Sequence, residues 1–353
     1  MSDTPSQREY SVVPASTRTD RASVVGLWRR GELGDPAQLD ARFQWYHCDH
    51  PSGPSTLLFL CCGPDHERVG VAGLGQRRMY AAGRSIAAGV LADLVVLQEH
   101  RTLYPALLLE REMCRVGLES HSILYGLPND KSAPVVRRLG FVQIGELVRY
   151  VAVLRYGEYL KRWLPEWLAA PVGSVMDLFV PWYLRSRGAS AHKWRTAWLT
   201  SVDQRFDTLW FRAKEYPGII GRRDSRFLAW RFFAQPGRAH RVFALSRASD
   251  DQLMGYAMCE HGGYTLHVRD FLVDPAAERL VPVLLARLAR EAAHEGYSSI
   301  SLHFLGDPRV HRLIAAAGMA ERERNAVLGT FAEKDRAQLQ SLDWYLTRAD
   351  MDV

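Results

Sequence analysis

Asp93-Leu-Val-Val-Leu-Gln-Glu-His-Arg-Thr-Leu-Tyr-Pro105-Ala-Leu-Leu lies over Asp270-Phe-Leu-Val-Asp-Pro-Ala-Ala-Glu-Arg-Leu-Val-Pro282-Val-Leu-Leu without a gap, at an offset of 177. Two further windows fall at nearly the same offset. Val135-Val-Arg-Arg-Leu-Gly-Phe141 matches Leu313-Ile-Ala-Ala-Ala-Gly-Met319, and Leu127-Pro-Asn129 falls beside Leu305-Gly-Asp307. One matching window arises easily by chance, whereas three in register mark a duplicated unit. The length of 353 residues also suits about two domains. The chain reads as an N-terminal copy over 1–158, a linker over 159–200 and a C-terminal copy over 201–353.

Each copy alternates strand and helix. In the first, β-branched or apolar runs at 10–14, 56–62 and 90–97 predict strands. Leu103, Ala106, Leu107, Leu109, Met113 and Val116 recur at three- and four-residue spacing, which predicts a helix over 102–118 with Glu110, Arg111, Glu112 and Arg115 on its other face. A strand at 122–127, a short helix at 131–139 closed by Gly140 and a strand pair at 141–154 complete the copy. The second repeats this ending with a strand at 265–273, a helix at 276–294, a strand at 299–304, a helix at 308–316 and strands to 346. This alternation predicts an α/β fold, each copy a mixed sheet flanked by helices.

Composition excludes several classes. The chain is 47% hydrophobic and 24% charged, neither fibrous nor disordered. MSDTPSQREY lacks a basic stretch followed by an apolar one, and no apolar run reaches the roughly 20 residues needed to span a bilayer, so a cytoplasmic protein is expected. Four of five cysteines (Cys61, Cys62, Cys114, Cys259) sit in apolar segments, which argues against a disulfide framework. The net charge is +6, but the basic residues are spread, and five lysines leave 40 arginines among 45 of them. Nucleic acid is therefore not expected as a partner, and steering of an anionic cofactor or substrate is preferred. Residues 159–198 carry five tryptophans, with Pro171 and Pro181 as breaks. They read as helices packed between the copies in preference to a membrane-surface contact.

The run from Asp93 through Gln98-Glu99-His100-Arg101-Thr102-Leu103-Tyr104-Pro105-Ala106 into an amphipathic helix resembles the acyl-CoA site of the GNAT N-acyltransferase superfamily, whose pattern is V-x-P-x-x-R-x-x-G-x-G/A. Val96, Arg101 and Ala106 match, while Gln98 replaces the proline and Tyr104 the first glycine. Asn129 and Gly140-Phe141 look like the family's asparagine and its ending. Trp45 to Gly53, Arg223-Asp224 with Trp230-Arg231, and Trp344 to Asp350 look like a bacterial group of tandem GNAT proteins. The resemblance implies acetyl-CoA or another acyl-CoA as co-substrate, held by Leu94, Val95, Val96, Arg101, Thr102, Leu103, Tyr104, Pro105, Ala106 and Asn129.

The chemistry of such a site is independent of the name. A diphosphate needs N–H donors aimed at it, and a helix amino end supplies unpaired donors and a partial positive charge. Residues 101–106 stand at that junction, with Arg101 adding a full charge. The second copy has Glu278 there, and an acidic side chain beside a diphosphate costs about 1 to 4 kcal/mol. One copy alone is thus expected to hold the co-substrate. Amine attack on a thioester needs a base, oxyanion donors and an acid for the thiolate. The family's tyrosine acid falls on Val136, so Tyr125 and Tyr104 are the substitutes, and Asp93 is the carboxylate expected as base. His47-Cys48-Asp49-His50 carries metal-ligand residue types, but four consecutive residues cannot all face one ion, so no metal site is expected. His267 and Asp270 would point to opposite faces of a strand.

The expected function is an acyl-CoA-dependent N-acyltransferase, most simply an N-acetyltransferase, acting on a small-molecule or carbohydrate amine. Acyl carrier protein or aminoacyl-tRNA as donor, and a non-catalytic acyl-CoA-binding or scaffold protein, are the alternatives.

Overall fold

The computed structural model describes residues 9–129, 132–155 and 193–352. In the first half, β1 (Tyr10–Ala15), β2 (Thr56–Cys62), β3 (Glu67–Ala81) and β4 (Arg84–Val96) form an antiparallel meander. Helices α1 (Arg21–Arg30) and α2 (Leu39–Arg42) cover one face, and α2 runs into a π-helical turn, Phe43–Cys48. Helix α3 (Leu103–Ser120) crosses the other face to β5 (Ile123–Gly126), which pairs parallel to β4. Gly117 lets α3 lie close, since a Cβ there would come within 2.9 Å of both Leu74 and Leu124. Then follow α4 (Ala133–Arg138) and β6 (Val142–Val153).

The second half begins with β7 (Trp194–Leu199), α5 (Gln204–Ala213), β8 (Ile219–Gly221) and α6 (Ser225–Leu228), which again runs into a π-helical turn, Ala229–Phe233. Strands β9 (His240–Arg247), β10 (Leu253–Gly262) and β11 (Thr265–Val273) precede α7 (Val281–His294), β12 (Ser299–Phe304), α8 (Pro308–Ala316) and β13 (Ala320–Phe331). The chain closes with α9 (Glu333–Leu339) and β14 (Trp344–Tyr345). Asp203, Asp224 and Asp307 cap α5, α6 and α8 by accepting from backbone N–H groups, as short polar side chains do at helix starts.

The succession β4–α3–β5–α4–β6 recurs as β11–α7–β12–α8–β13, and the two runs trade their last strands. Strand β13 inserts between β5 and β6, and β6 pairs with β12 (Ser299 opposite Val153, Phe304 opposite Val148). The result is one sheet in the order β1-β2-β3-β4-β5-β13-β6-β12-β11-β10-β9-β7, with β8 bridging β3 and β14 off this path. Across the approximate two-fold axis between β6 and β13, the π-helical turns meet. Trp45 and Trp230 stack with centroids 5.1 Å apart, and each indole N–H donates to the other's carbonyl, at 2.7 and 2.9 Å.

Several expectations change. The strand pair at 141–154 is one strand, β6, because Gly145 serves a close approach and not a turn: a Cβ there would lie 2.7 Å from Leu305. The helix at 276–294 starts at Val281 after a 3-10 segment whose Ala277 is non-helical, and Pro282 falls in its first turn, where a missing N–H costs nothing. Of the linker, residues 159–192 lie outside the described residues, while Trp194 and Trp198 stand on an edge strand, not a helix. Lys131 of the helix at 131–139 also lies outside them, and its described part is α4. All five cysteines are free. No helix among the described residues is long and apolar enough to cross a membrane.

Traded strands make the halves cooperative. Urea unfolding followed by tryptophan fluorescence and by far-UV circular dichroism should give one coincident transition. Trp45→Ala and Trp230→Ala should each cost about 3–5 kcal/mol, and the double variant clearly less than their sum. Two separate transitions would contradict the shared sheet.

Candidate active site

Strands β4 and β5 pair only from Ala88–Ile123 to Val90–Tyr125. Beyond this, β4 continues to Val96 while β5 ends at Gly126, and a cleft of about 240 Å³ opens between them. Leu91 to Leu94 form one wall and Gly126 to Asn129 the other; Glu110, Val136, Phe141 and Leu328 close it on the α3 side, and Arg42, Leu33 and Asp352 on the α2 side. Backbone groups on the facing edges of parting strands are natural partners for the amides of an extended ligand.

Asp93 sits where the walls part. Ala92 is opposite Gly73 and Val95 opposite Val71, so Asp93 and Leu94 together face Ala72 in a β-bulge. Asp93 adopts φ +55°, a left-handed conformation that costs about 1–3 kcal/mol and that aspartate tolerates better than most residues. Two side chains hold it there. Arg42 Nη2 donates to Oδ1 at 2.5 Å and His47 Nε2 to Oδ2 at 2.8 Å. His47 is packed among Trp28, Phe43 and Tyr46, and a Cβ at Gly73 would lie 2.9 Å from its ring. Burial alone would raise the Asp93 pKa, but Arg42 and His47 outweigh it and hold the carboxyl below its ordinary range. A carboxylate so held is a poor proton acceptor.

Two other carboxyl groups line the cleft. Burial first, and the charge of Asp93 second, push Asp352 up to about 6. Burial pushes Glu110 up to about 7, and its Oε2 has no hydrogen-bond partner. The helical periodicity had placed Glu110 on the outer face; in the structure it is buried against the cleft.

Asp352 belongs to the second half and is brought here by a clamped tail. Arg231 donates to the carbonyls of Arg348, Ala349 and Met351. Asp350 pairs with Arg77 at 2.6 Å and with Arg223 at 2.5 Å, and Arg223 also pairs with Asp270 at 3.0 Å. Thr347 and Asp350 form a capping box. Tyr125, expected as an acid, is fully buried and donates its hydroxyl to the Asp350 carbonyl at 2.6 Å. It braces the tail and does not line the cleft, and burial raises its pKa well above the ordinary value.

The other expected residues divide. Leu94 lines the cleft, while Val95 and Val96 are buried in the cores on opposite faces of β4. Thr102 is the extended N-cap of α3, and Leu103 and Tyr104 are exposed in its first turn, where Pro105 and Ala106 follow, so that end of the helix is open. Arg101 lies beside it, its Nε donating to the Val96 carbonyl. Asn129 reaches the cleft and accepts from Ser132 N at the start of α4. Arg42, His47, Glu110 and Asp352 are additional. Only His47 had a sequence signal, within the His47 to His50 run, where residue types suggested a metal. No metal-binding group of His, Cys, Asp and Glu exists among the described residues.

Among the described residues, the equivalent gap in the second half is filled. Strands β11 and β12 pair from Thr265–Ser299 to Val268–Leu302 and then part, but Phe271, Phe304 and Tyr345 pack into the gap, with Tyr345 donating to the Phe271 carbonyl. About 30 Å³ remains, next to Glu278. Asp270, the repeat counterpart of Asp93, is taken up by Arg223, Tyr256 and Thr347.

No protein-family model matches the sequence, and no curated protein does. Solved structures do match. A conserved protein of Enterococcus faecalis V583, described as a probable N-acyltransferase, superposes with a TM-score of 0.64 at 10% identity over 93% of this chain and 73% of that one. A GCN5-related N-acetyltransferase of Anabaena variabilis gives 0.63 at 10% identity over 93% and 74%. A tandem GNAT protein from the clavulanic acid biosynthesis pathway gives 0.54 at 13% identity over 92% and 99%. The chain thus has the mixed α/β fold of the GCN5-related N-acetyltransferases, the tandem GNAT protein included.

Proposed function

We propose that the protein is an acyl-CoA-dependent N-acyltransferase with one active site, in the cleft of its first half. The observation that carries this reading is the parting of β4 and β5 at a strained, braced bulge beside an open helix start. The first-turn N–H groups of α3, with Arg101, hold a diphosphate. The facing edges of β4 and β5 take the amides of the pantetheine arm, and the bulge at Asp93–Leu94 presents the ladder donors it displaces to the thioester carbonyl, where negative charge develops on attack. The amine arrives from the α2 side. Asp352 accepts its proton, and the departing thiolate regains one from solvent, since no tyrosine among the described residues lines the cleft. Asp93 fixes Arg42 and the bulge. Acyl transfer to a small-molecule or carbohydrate amine in the cytoplasm is the setting that fits.

Titration calorimetry with coenzyme A should give one site, abolished by Arg101→Glu. Two sites would contradict the filled second cleft. Binding without turnover of any amine would favour a scaffold, and no binding would favour acyl carrier protein or aminoacyl-tRNA as donor.

Asp352 and Asp93 separate by opposite effects. Asp352→Asn should lower kcat about 10²-fold or more with coenzyme A affinity unchanged, and the wild-type rate should rise through pH 6 as Asp352 loses its proton. Its folded pKa lies above its unfolded one, so the stability it contributes is full below about pH 4 and lost as pH rises through 6. Asp352→Asn should therefore raise Tm at pH 8 and leave it unchanged at pH 4. Asp93→Asn should instead destabilise by about 3 kcal/mol at pH 7, because it strands the Arg42 charge and weakens the brace on a strained bulge. Equal pH–rate profiles for wild type and Asp352→Asn would remove Asp352 from the chemistry.

A further inference from the structure

Next to Asp352, on the α2 face of the sheet, the two halves share a polar trough. Strand register places its walls: Arg149 is opposite His303, and Ser301 lies between Val151 on one side and His267 on the other. Side chains two apart on a strand share a face, so Arg149, Ser301, His303 and His267 form one patch, joined by the Arg149 Nε to Ser301 Oγ bond at 3.3 Å. Arg269 adjoins it from the bulge of β11, and Arg348 descends from the clamped tail.

The charges in this trough are unevenly matched. Arg269 is paired with Glu260 at 2.5 Å, and Arg149 faces Glu323 at 3.6 Å. Arg348 has no ion pair among the described residues, and its buried Nε has no hydrogen-bond partner. Burial first, then Arg348, Arg149 and Arg269, push His303 down to about 3, so the imidazole stays neutral in a positive field. A partly buried guanidinium with an unmet donor, flanked by two further guanidiniums, is a receptor for a carboxylate or phosphate. Arg348 and Asp352 are four residues apart on one clamped segment and each feels the other's charge.

We propose that the acceptor is an amine bearing an anionic group, a carboxylate or a phosphate, whose anion rests on Arg348 between Arg149 and Arg269 while its nitrogen reaches Asp352 at the cleft. This rests on the reading of the cleft as an acyl-transfer site. It narrows the acceptor from amines in general to zwitterionic or phosphorylated ones and makes the second half, which has no cleft of its own, the specificity element of the first.

Two measurements on the full chain test it. Coenzyme A release from acetyl-CoA is followed with matched amines, β-alanine against propylamine and O-phosphoethanolamine against ethanolamine. The anionic member of at least one pair should have a KM lower by about tenfold or more, and the pair that responds tells carboxylate from phosphate. In Arg348→Gln that preference should collapse, and in Arg149→Gln it should shrink. Arg348 is held through its backbone carbonyl, so the variant is expected to fold with wild-type circular dichroism. Independently of turnover, inorganic phosphate and acetate are titrated calorimetrically into protein saturated with coenzyme A. One of them should bind, and about tenfold more weakly to Arg348→Gln. Preference for the amines that lack an anionic group, or anion binding that is absent or indifferent to Arg348→Gln, overturns the proposal. Failure to bind coenzyme A would instead sink the reading of the cleft as an acyl-CoA site, and phosphate and acetate titrated into the unliganded protein would still decide the trough.

Discussion

The exchange of closing strands is the constraint on which the rest depends. Because β13 lies against β5 and β6 against β12, neither half can complete its sheet alone, and the backbone groups that would be left at an open edge are paired by the other half. The exchange also sets the distance between the paired π-helical turns. Trp45 and Trp230 can stack and trade indole hydrogen bonds only if β6 and β13 are neighbours. Such turns are rare, and here the carbonyls of Trp45 and Trp230, one in each turn, accept the partner's indole N–H.

From that axis the halves diverge. The first keeps its parted strands open; the second fills the equivalent gap with Phe271, Phe304 and Tyr345 and uses the freed polar positions as an anchor. Arg77, Arg223, Asp270 and Asp350 form a buried network whose dehydration is costly unless nearly every group is bonded. Thr347, Tyr256 and the Gly221 carbonyl supply those bonds. Its effect is positional: it fixes a segment that crosses from one half to the other and brings Asp352 to the cleft.

Much of this could be read from the residues. The duplication at offset 177 gave the correct α/β class, because strand and helix periods survive in both copies. The contrast of Arg101 with Glu278 set the expectation of one site; the cleft beside β4 holds about 240 Å³ and the gap beside β11 about 30 Å³. The exchange was invisible, since the closing strand has the same pattern whichever half it joins. No strand was expected between 62 and 90, where β3 runs over Glu67–Ala81; its Gly70, Gly73 and Gly75 make room for Leu60, His47 and Tyr46. Asp352 and Arg42 gave no signal at all. Arg42 meets Asp93 across 51 residues of chain, and Asp352 lies 259 residues beyond Asp93, separations that no local spacing encodes.

In the proposed mechanism, the two aspartates at matched positions, Asp93 and Asp270, are both too well engaged to serve as the base. Each stands on the bulged strand of its half, and each is fully engaged, by Arg42 and His47 in one case and by Arg223, Tyr256 and Thr347 in the other. Protonating Asp93 would forfeit an ion pair and a hydrogen bond just when the bulge must hold its shape, so the energy of that loss would add to the barrier. A carboxyl that takes a proton readily must be less well partnered and must feel repulsion from another negative charge. Asp352 meets both conditions, the second because Asp93 stays ionised: the low pKa of the one is part of what raises the other. The bulge thus does two things with one carboxylate, bracing the strand and raising the basicity of a neighbour delivered from the opposite half.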